Sequence, residues 1–341
     1  MKIAITADPE ISVPPLLYGG IERIIDMIVR GLIARDHEVT LFAHPDSKAP
    51  CHLIPYAGGS SRGRADTVRN MASISGHVLK GNFDIVHSFG RLAYLWPLLV
   101  LPIPKLMTYQ RAIAPRSIKW GHIFSRGTLH FSAISKSMMH DVKRLGNWHL
   151  VHNGVPMNVY DFVPKVSDDA PLAFLGRIEP TKGTHLAIEI AKKASRRLVI
   201  AGNISIEYQS YFDEQVKPYI DGSQITYIGA VDDNQKNKLL GSAAAFLMPV
   251  LWDEPFGIVM AEAMACGTPV LGLRRGAVPE VIAHGVTGYV GDTTDELVAA
   301  VGQLNKLARS ACRERTERLY SDRTIIDAYL AVYQKMINTN P

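Results

Sequence analysis

The feature that most constrains the fold is an alternation, along the whole chain, of short apolar runs with segments of helical periodicity. In the first half the runs are KIAIT, EVTLFA, FDIVHSF, KLMTY, HFSAIS and HLVHN. In the second half they are PLAFLGR, RLVIAGN, ITYIGAV, AAFLMPV, PVLGL and TGYV. Several are apolar almost without interruption, as strands buried on both faces of a parallel sheet are. The alternation predicts an α/β fold with two βα arrays in series, each a doubly wound parallel sheet.

The length of 341 residues fits two domains, each able to bury its own core. The segment VPKVSDDAP, Val163 to Pro171, is the predicted linker, so we expect domains at residues 1–162 and 163–322. The last strongly helical segment, residues 323–337, follows the second array. We therefore expect residues 323–341 to pack back against the first domain.

Charge is distributed unevenly between the halves. Residues 1–165 carry 19 Lys and Arg against 11 Asp and Glu, whereas residues 166–341 carry 18 against 21. The basic half suits a phosphorylated or lipid-linked acceptor or an anionic membrane surface, with Arg62, Arg64, Arg69 and Lys80 as the contact segment. The alternative is a well-solvated face. No nucleic-acid-binding motif is present, so nucleic acid is not an expected partner.

The cysteines and the apolar runs bear on location. Three cysteines without metal-type spacing suit a reducing compartment. The start MKIAITADPE lacks the apolar core of a secretory signal, and the apolar run from Leu92 to Leu106 is short and contains three prolines. We expect a cytoplasmic protein, either free or peripheral at the inner membrane face.

Doubly wound sheets bind ligands at the carboxyl ends of their strands. The first strand is followed by Tyr18, Gly19 and Gly20 before a helix, either an anion-binding arrangement or an ordinary loop. No GxGxxG follows any strand, which argues against a dinucleotide oxidoreductase.

In the second half, PLAFLGR ends in Gly176 and Arg177, and Lys182 follows at the start of a helix. Two cations at this position either neutralise the phosphates of a diphosphate or form a solvated turn.

The stretch EPFGIVMAEAMACGTPV places two glutamates around a helix start. Glu254 lies on the loop after AAFLMPV, and the helix is expected to begin near Phe256, which presents the amides of Gly257, Ile258 and Val259. A carboxylate accepts two hydrogen bonds, as a vicinal diol offers. Glu254 and Glu262 are thus predicted to bind opposite ends of one ligand, a sugar and a ribose.

Together these segments resemble the family 4 retaining glycosyltransferases, in which the stretch above is the Glu-x7-Glu motif. Further segments stand in the same order, namely YGGIER, FDIVHS, FSAISKSM, VHNGVP, FLGRIEPTKG, YIGAVDDNQKNKLLGSAAAFLMP and RRGAVPEVIAHGVTGYV. The resemblance covers nearly the whole chain. It implies the GT-B fold, two facing Rossmann-like domains with an interdomain cleft.

The activity implied by the resemblance is transfer of a sugar from a nucleotide-diphosphate sugar to an acceptor hydroxyl, in the biosynthesis of glycans, glycolipids or natural-product glycosides. Glu254, Arg177 and Lys182 would be catalytic, Glu254 at the donor sugar and the two cations at the diphosphate, and Glu262 would bind the ribose. The implied donor site is completed by Gly20, Gln110, Gly176, Phe256, Gly257, Ile258, Val259, Gly229 and Val231. No metal and no cofactor is expected, since fixed positive charge replaces a cation.

The acceptor side is less determined. Gln110 stands where the family commonly has histidine, although an amide still hydrogen-bonds a hydroxyl. Besides Tyr18 and Gly19, the candidates are His87, a ligand group or a structural histidine, and Arg111, which serves an anionic acceptor or a surface. Two other functions stay open, a sugar-nucleotide-binding protein with little transfer activity and a sugar-nucleotide epimerase of the same fold.

Overall fold

The computed structural model describes residues 1–16, 19–111 and 113–339. The chain divides into two compact units, one formed by Met1–Gly154 with Asp322–Pro341 and the other by Val155–Ser321. The second unit thus begins at Val155, whereas the sequence placed the boundary at 162/163. The start of the predicted linker packs inside this unit, where the Val163 N–H donates to the Cys266 carbonyl at 3.1 Å.

Seven parallel strands form the sheet of the first unit within the described ranges. They are β1 (Lys2–Thr6), β2 (Glu38–Ala43), β3 (His52–Pro55), β4 (Ile85–Ser88), β5 (Lys105–Tyr109), β6 (Leu129–Ala133) and β7 (Asn147–Leu150). Their spatial order is β3-β2-β1-β4-β5-β6-β7, so the direction of winding reverses between β1 and β4.

Helices cover this sheet, with a 3-10 segment at Leu92–Leu98. They are α1 (Gly20–Ile33), α2 (Arg64–Gly81), α3 (Pro115–Phe124) and α4 (Lys136–Met139). Helix α1 buries an unbroken isoleucine-rich face against the sheet, as its spacing predicts.

Six parallel strands form the sheet of the second unit, as far as the structure describes it. They are β8 (Leu172–Leu175), β9 (Leu198–Ala201), β10 (Ile225–Tyr227), β11 (Ala245–Met248), β12 (Val270–Leu273) and β13 (Gly288–Gly291). Their order is β10-β9-β8-β11-β12-β13, which repeats the arrangement of the first unit and reverses between β8 and β11.

The helices of the second unit connect these strands and follow the last of them. They are α5 (Thr184–Lys193), α6 (Gln209–Gln215), α7 (Asp233–Ser242), α8 (Ile258–Ala265), α9 (Val278–Val281), α10 (Thr294–Val301) and α11 (Arg309–Leu319). Leucine, isoleucine and phenylalanine side chains from β8, β9, β11 and α5 meet in one core.

The last helix, α12 (Asp322–Asn338), returns to the first unit, as the sequence predicts. Ile326 packs so closely on α1 that a Cβ added to Gly31 would lie 1.8 Å from its Cδ1. Arg35 forms an ion pair of 2.7 Å with Asp327. Among the described residues, no helix is long and apolar enough to cross a membrane.

Two elements differ from the sequence prediction. The edge strand β3 was not predicted, since it is short and ends in proline. The segment SKSMMHDVKRLG opens with a serine cap and closes on glycine, which predicts a helix over its whole length. It is α-helical only at α4 and continues as hydrogen-bonded turns through Leu145.

Candidate functional site

The second unit brings two predicted segments together where its strand order reverses. The loops after β8 and β11 are joined by a hydrogen bond of 2.8 Å from the Leu251 N–H to the Thr181 carbonyl. A Cβ added to Gly183 would lie 2.0 Å from the carbonyl oxygen of Pro249, so a side chain there would push the loops apart. The predicted residues therefore lie at the strand ends where such sheets bind ligands.

Glu254 and Lys182, both predicted to be catalytic, form an ion pair in this loop contact. Lys182 Nζ lies 2.7 Å from Glu254 Oε2, and the same oxygen accepts a hydrogen bond of 2.9 Å from the Trp252 indole. Lys182 Nζ also lies 4.8 Å from the centre of the Trp252 ring. Glu254 is 6% exposed, yet no described residue bonds its Oε1. That oxygen is left to accept a hydrogen bond from a ligand hydroxyl.

Arg177 is held by an acidic residue that the sequence reasoning missed. Its guanidinium lies 3.1 Å from Glu179 Oε1, which also accepts a hydrogen bond of 2.8 Å from Thr181. Glu179 is almost fully buried, while about a third of the Arg177 side chain is exposed. The sequence carried a signal, since FLGRIEP places a carboxylate two residues after the arginine.

Glu262 forms a second buried ion pair, on the other side of the helix start. Lys236 Nζ lies 2.6 Å from Glu262 Oε1, and the Tyr160 hydroxyl donates to the same oxygen at 2.5 Å. As whole residues, Lys236 and Glu262 are both less than a tenth exposed. Within the described part of the chain, Glu262 Oε2 receives no hydrogen bond. The carboxylate is thus held rigidly with one oxygen available. No sequence pattern indicated Lys236 or Tyr160.

Helix α8 begins at Ile258, with Gly257 as its cap at φ +74°. The prediction that Glu254 precedes this helix is confirmed, and Glu262 lies in its second turn. The amides of Gly257, Ile258 and Val259 stand at the open helix N-terminus, where a helix leaves donors without internal partners. They add positive potential next to Lys182.

Phe256, predicted to bind the donor, points its ring into the core. The ring is 1% exposed and packs edge-to-face on Tyr320 with centroids 5.5 Å apart. Only its backbone is placed to meet a ligand, so the side chain anchors the loop.

Three glycines end neighbouring strands at the same edge of the second sheet. Gly176 follows β8, Gly202 follows β9, and Gly229 lies just beyond β10. The Gly202 N–H donates to the Gly229 carbonyl at 2.8 Å, and a Cβ on Gly202 would lie 1.7 Å from the Gly176 oxygen. Val231, predicted to lie against the base, is half-buried in the next loop. At this edge a ligand would therefore meet backbone amides and carbonyls rather than side chains.

A third loop, after β12, closes on Glu254 and was missed by the sequence reasoning. The Ala277 N–H donates to the Glu254 carbonyl at 2.8 Å, and the Gly276 N–H donates to Asp253 at 3.1 Å. Gly276 has φ +52°, and a Cβ there would lie 2.4 Å from the Glu254 oxygen. The backbone of Glu254, on the loop after β11, is thus held in place by the loop after β12.

In the first unit, the glycine pair before α1 is tightly placed. Gly19 has φ +152°, and a Cβ there would lie 2.7 Å from Pro15 Cβ. Gly20 is the first residue of α1, and Glu22 in the same turn is buried. Burial is the main cause that raises the Glu22 carboxyl pKa above its ordinary 4.5. Tyr18, also a candidate, lies outside the described residues.

Gln110 forms a reciprocal amide pair with Asn153. Its amide donates to Asn153 Oδ1 at 2.8 Å, and the Asn153 amide donates back to Gln110 Oε1 at 2.8 Å. Each amide keeps further donor and acceptor capacity. Gln110 is thus oriented by VHNGVP, the segment that carries Asn153.

A cavity of about 530 Å³ lies at the carboxyl ends of β1, β4 and β5. The residues that line it include Arg62, Arg91 and Arg111 together with Asp8. Arg111 lies 3.1 Å from Asp8 Oδ2, whereas Asp8 Oδ1 is buried and has no hydrogen-bond partner among the described residues. Burial raises the pKa of the Asp8 carboxyl, against the opposing effect of Arg111.

His87 is a core residue, the structural alternative of the two that the sequence left open. It has no exposed surface, and its two ring nitrogens bond the Tyr333 hydroxyl at 2.6 Å and the Thr108 hydroxyl at 2.7 Å. Burial lowers its pKa to about 3. It joins β4 to α12 rather than facing a ligand.

Across the described ranges, no group of three or more His, Cys, Asp or Glu side chains could hold a metal ion. In the segment VDD, Asp232 caps α7 by accepting a hydrogen bond of 2.8 Å from the Gln235 N–H.

Two known family models match the chain. The model described as "Glycosyltransferase Family 4" matches residues 18–159, and the one described as "Glycosyl transferases group 1" matches residues 161–319. Among related proteins, a putative glycosyltransferase of Bacillus subtilis, YtcC, is 24% identical over 99% of this chain and 93% of its own length. The phosphatidyl-myo-inositol mannosyltransferase of Mycobacterium leprae is 25% identical over 92% and 90%.

Solved structures share the whole architecture. AviGT4, a glycosyltransferase involved in avilamycin A biosynthesis, superposes with a TM-score of 0.74 at 25% identity and covers 99% of this chain and 98% of its own. HepE of Anabaena, solved with UDP, gives a TM-score of 0.78 at 18% identity, with 98% and 100% covered.

Two Rossmann-like units, matched by two glycosyltransferase family models and by solved glycosyltransferases, identify a glycosyltransferase of the GT-B fold. The chain belongs to glycosyltransferase family 4, whose two models together span most of its length.

Proposed function

We propose that this enzyme transfers a sugar from a nucleotide-diphosphate sugar to an acceptor hydroxyl with retention at the anomeric carbon and without a metal. The observation that carries the proposal is the Lys182–Glu254 pair beside the open start of α8. It places a cation, a carboxylate and helix amides within one loop contact, as a diphosphate joined to a sugar requires.

The donor is proposed to lie along the carboxyl edge of the second sheet. Glu262 Oε2 accepts from the ribose, and the main chain at Gly229 and Val231 lies against the base. Arg177, Lys182 and the amides at the start of α8 bind the diphosphate, while Glu254 Oε1 accepts from a sugar hydroxyl. Lys236 orients Glu262, Glu179 orients Arg177, and Lys182 and Glu254 orient each other.

In the proposed step, the bond from the anomeric carbon to the terminal phosphate oxygen breaks and its electron pair stays on the phosphate. The acceptor oxygen bonds the same carbon from the face that the phosphate leaves, and its proton passes to the departing phosphate. Arg177, Lys182 and the helix amides stabilise the charge that develops on the leaving group, which is the task a metal performs elsewhere.

On the first unit, Gly20 and Gln110 are proposed to meet the donor. The acceptor is proposed to bind in the 530 Å³ cavity lined by Arg91 and Arg111. It would bind through an anionic group, which is a phosphate or a carboxylate on a free or a lipid-linked molecule. Asp8 Oδ1 would accept from an acceptor hydroxyl, since it is buried without a partner in the described residues. The relative from M. leprae supports this class, because its name includes a phosphate-bearing inositol lipid.

The products of such a reaction belong to glycan, glycolipid or natural-product glycoside biosynthesis. A cytoplasmic location and peripheral contact of the basic first unit with a membrane stay predictions.

A donor panel is the test of the proposed reaction. Thermal shift with nucleotide sugars of different base and sugar identifies a binder, and proton NMR of the product then gives the anomeric configuration. Retention, with a rate unchanged by EDTA, is expected. An inverted product or a strict metal requirement contradicts the mechanism. Binding without product supports a sugar-nucleotide-binding protein, and conversion of the donor without acceptor supports an epimerase.

The acceptor class is tested with the identified donor and a matched pair of acceptors, myo-inositol and a myo-inositol phosphate. Only the phosphate should be used well, and Arg111→Ala should remove most of that preference. Equal use of both acceptors contradicts an anionic acceptor while leaving the transferase assignment intact.

A further inference from the structure

The outward face of α3 carries apolar side chains where a surface helix normally carries polar ones. Trp120, Ile123 and Phe124 are 52%, 51% and 48% exposed. The opposite face is buried through Ile118 and Gly121. Exposure of three large apolar residues within five positions of one helix is more than the scatter of single apolar residues expected on a surface.

These side chains form one continuous surface with the neighbouring 3-10 segment. The rings of Trp120 and Phe124 are stacked, with centroids 5.8 Å apart and an interplanar angle of 23°. Phe124 also contacts Trp96, at 5.8 Å between ring centroids. We call Trp96, Trp120, Ile123 and Phe124 the aromatic surface. Because its rings pack on each other, it is preformed.

Positive charge surrounds the aromatic surface. Arg116 lies four residues before Trp120, and Lys119 lies four residues before Ile123. This spacing places all four side chains on one side of α3. Arg126 is exposed just after the helix. From Asp84 to Asp141 the chain contains no acidic residue between those two positions, but it contains seven Lys and Arg. The partner of this surface is therefore anionic.

We propose that the aromatic surface docks on the surface of an anionic lipid bilayer. Tryptophan and phenylalanine insert at the boundary of headgroups and acyl chains, and Arg116, Lys119 and Arg126 contact lipid phosphates. A second copy of the chain suits the surface less well, because a symmetric contact would bring the basic side chains of both copies together. The proposal does not depend on the transferase activity.

The surface differs from the basic segment that the sequence indicated. Arg64 and Arg69 are exposed on α2, but Arg69 pairs with Asp66 at 3.1 Å and the helix carries no aromatic residue other than histidine. On α2 the exposed apolar side chains are the aliphatic Val68 and Leu79, whereas charge and exposed aromatic rings coincide on α3. The two helices provide a matched comparison.

Co-sedimentation with vesicles tests the proposal. The full chain is mixed with vesicles of phosphatidylcholine alone or with about one third phosphatidylglycerol. We expect binding to the anionic vesicles only. The double variants Trp120→Ser/Phe124→Ser and Arg116→Glu/Lys119→Glu should each lower the vesicle affinity at least about tenfold, while Arg64→Glu/Arg69→Glu should lower it less.

Folding and self-association are controlled in the same samples. All replaced side chains on α3 are exposed, so melting curves should match the wild type. Brominated lipid should quench tryptophan fluorescence more in the wild type than in Trp120→Ser/Phe124→Ser. The proposal is overturned if anionic vesicles do not sediment the protein, or if the α2 variant loses binding while the α3 variants keep it. It is also overturned if Trp120→Ser/Phe124→Ser dissociates a dimer without affecting vesicles.

Discussion

Lys182 Nζ lies 2.7 Å from Glu254 Oε2, although the two residues are 72 positions apart in the chain. The contact joins the loops that follow β8 and β11, and the Trp252 indole donates to the same carboxylate oxygen. Each partner orients the other in a largely buried position. In the proposed reaction the pair is therefore in place before the donor binds, which lowers the reorganisation that binding requires.

Replacing Lys182 should abolish most turnover. We expect Lys182→Ala to lower kcat/KM by about a hundredfold or more. The substitution removes the positive charge proposed to stabilise the leaving diphosphate, and it leaves the Glu254 carboxylate without its ion-pair partner. Lys192→Ala is the matched control, since Lys192 lies 4.7 Å from the Tyr219 ring much as Lys182 lies over Trp252. A Lys182→Ala enzyme as active as the Lys192→Ala enzyme would contradict the site.

Gly276→Ala should damage the donor site through the backbone. The new Cβ would lie 2.4 Å from the Glu254 carbonyl oxygen, so the loop that carries Glu254 must move. Gly285→Ala is the control, because Gly285 also has a positive φ, +75°, but a Cβ there meets nothing within 4 Å. Both should lose about 1–2 kcal/mol from left-handed strain. Only Gly276→Ala should lose further stability and, in titration calorimetry, affinity for the nucleotide sugar that the donor panel identifies. Equal losses in both variants would contradict the steric argument.

Lys236→Met should destabilise the second unit strongly. It leaves the Glu262 carboxylate in a nearly buried position with only the Tyr160 hydroxyl, and breaking a buried pair costs about 3–5 kcal/mol. Lys238→Met, on an exposed position of the same helix, should cost little.

The double variant Glu262→Gln/Lys236→Met should recover part of the stability lost in Lys236→Met, since no unpaired charge remains. Urea unfolding of the wild type, Glu262→Gln, Lys236→Met and the double variant gives the coupling directly. Additive losses would show that Lys236 acts independently of Glu262.

The first unit should lose stability as pH falls. His87 has an ordinary pKa of 6.5 when unfolded and about 3 when folded, so the unfolded chain binds its proton more tightly. The contribution of neutral His87 to the free energy of unfolding is complete above pH 6.5, and it is lost as pH falls from 6.5 toward 3. Burial lowers the pKa of His149 to about 4 as well, so it adds to the same window.

Thermal unfolding followed between neutral and mildly acidic pH measures this effect. His87→Gln should melt lower than the wild type at neutral pH, since it loses its bonds to Tyr333 and Thr108. Its melting temperature should fall less steeply with pH. Identical slopes for the two proteins would show that His87 titrates normally.

The alternation of apolar runs was sufficient to predict the two parallel sheets, because buried strands and amphipathic helices leave distinct periodicities. It was insufficient for β3 and for the extent of α4, where few residues carry the pattern. The bounds of α12 agree closely with the predicted residues 323–337, since a long amphipathic helix averages over many positions.

The site was predictable in part for a related reason. Arg177 and Glu254 were predicted on loops at one edge of the second sheet and lie on the loops after β8 and β11, because the carboxyl ends of parallel strands meet at one edge. Lys236, Tyr160 and Gly276 were not, since each reaches a predicted glutamate from a distant part of the chain through tertiary contact alone. His87 also lies at a strand end, but the sequence does not reveal that α12 covers it. It therefore resembled a ligand group in the sequence and is buried in the structure.

In the proposed donor site, the row formed by Gly176, Gly202 and Gly229 limits how this enzyme can change its donor. A substitution at Gly202 would collide with the carbonyl of Gly176, so the edge tolerates side chains poorly. Selection between bases at a surface made of amides and carbonyls depends on the path of the chain. Attempts to alter nucleotide preference should therefore exchange whole loops after β9 and β10, since point substitutions offer few functional groups to replace.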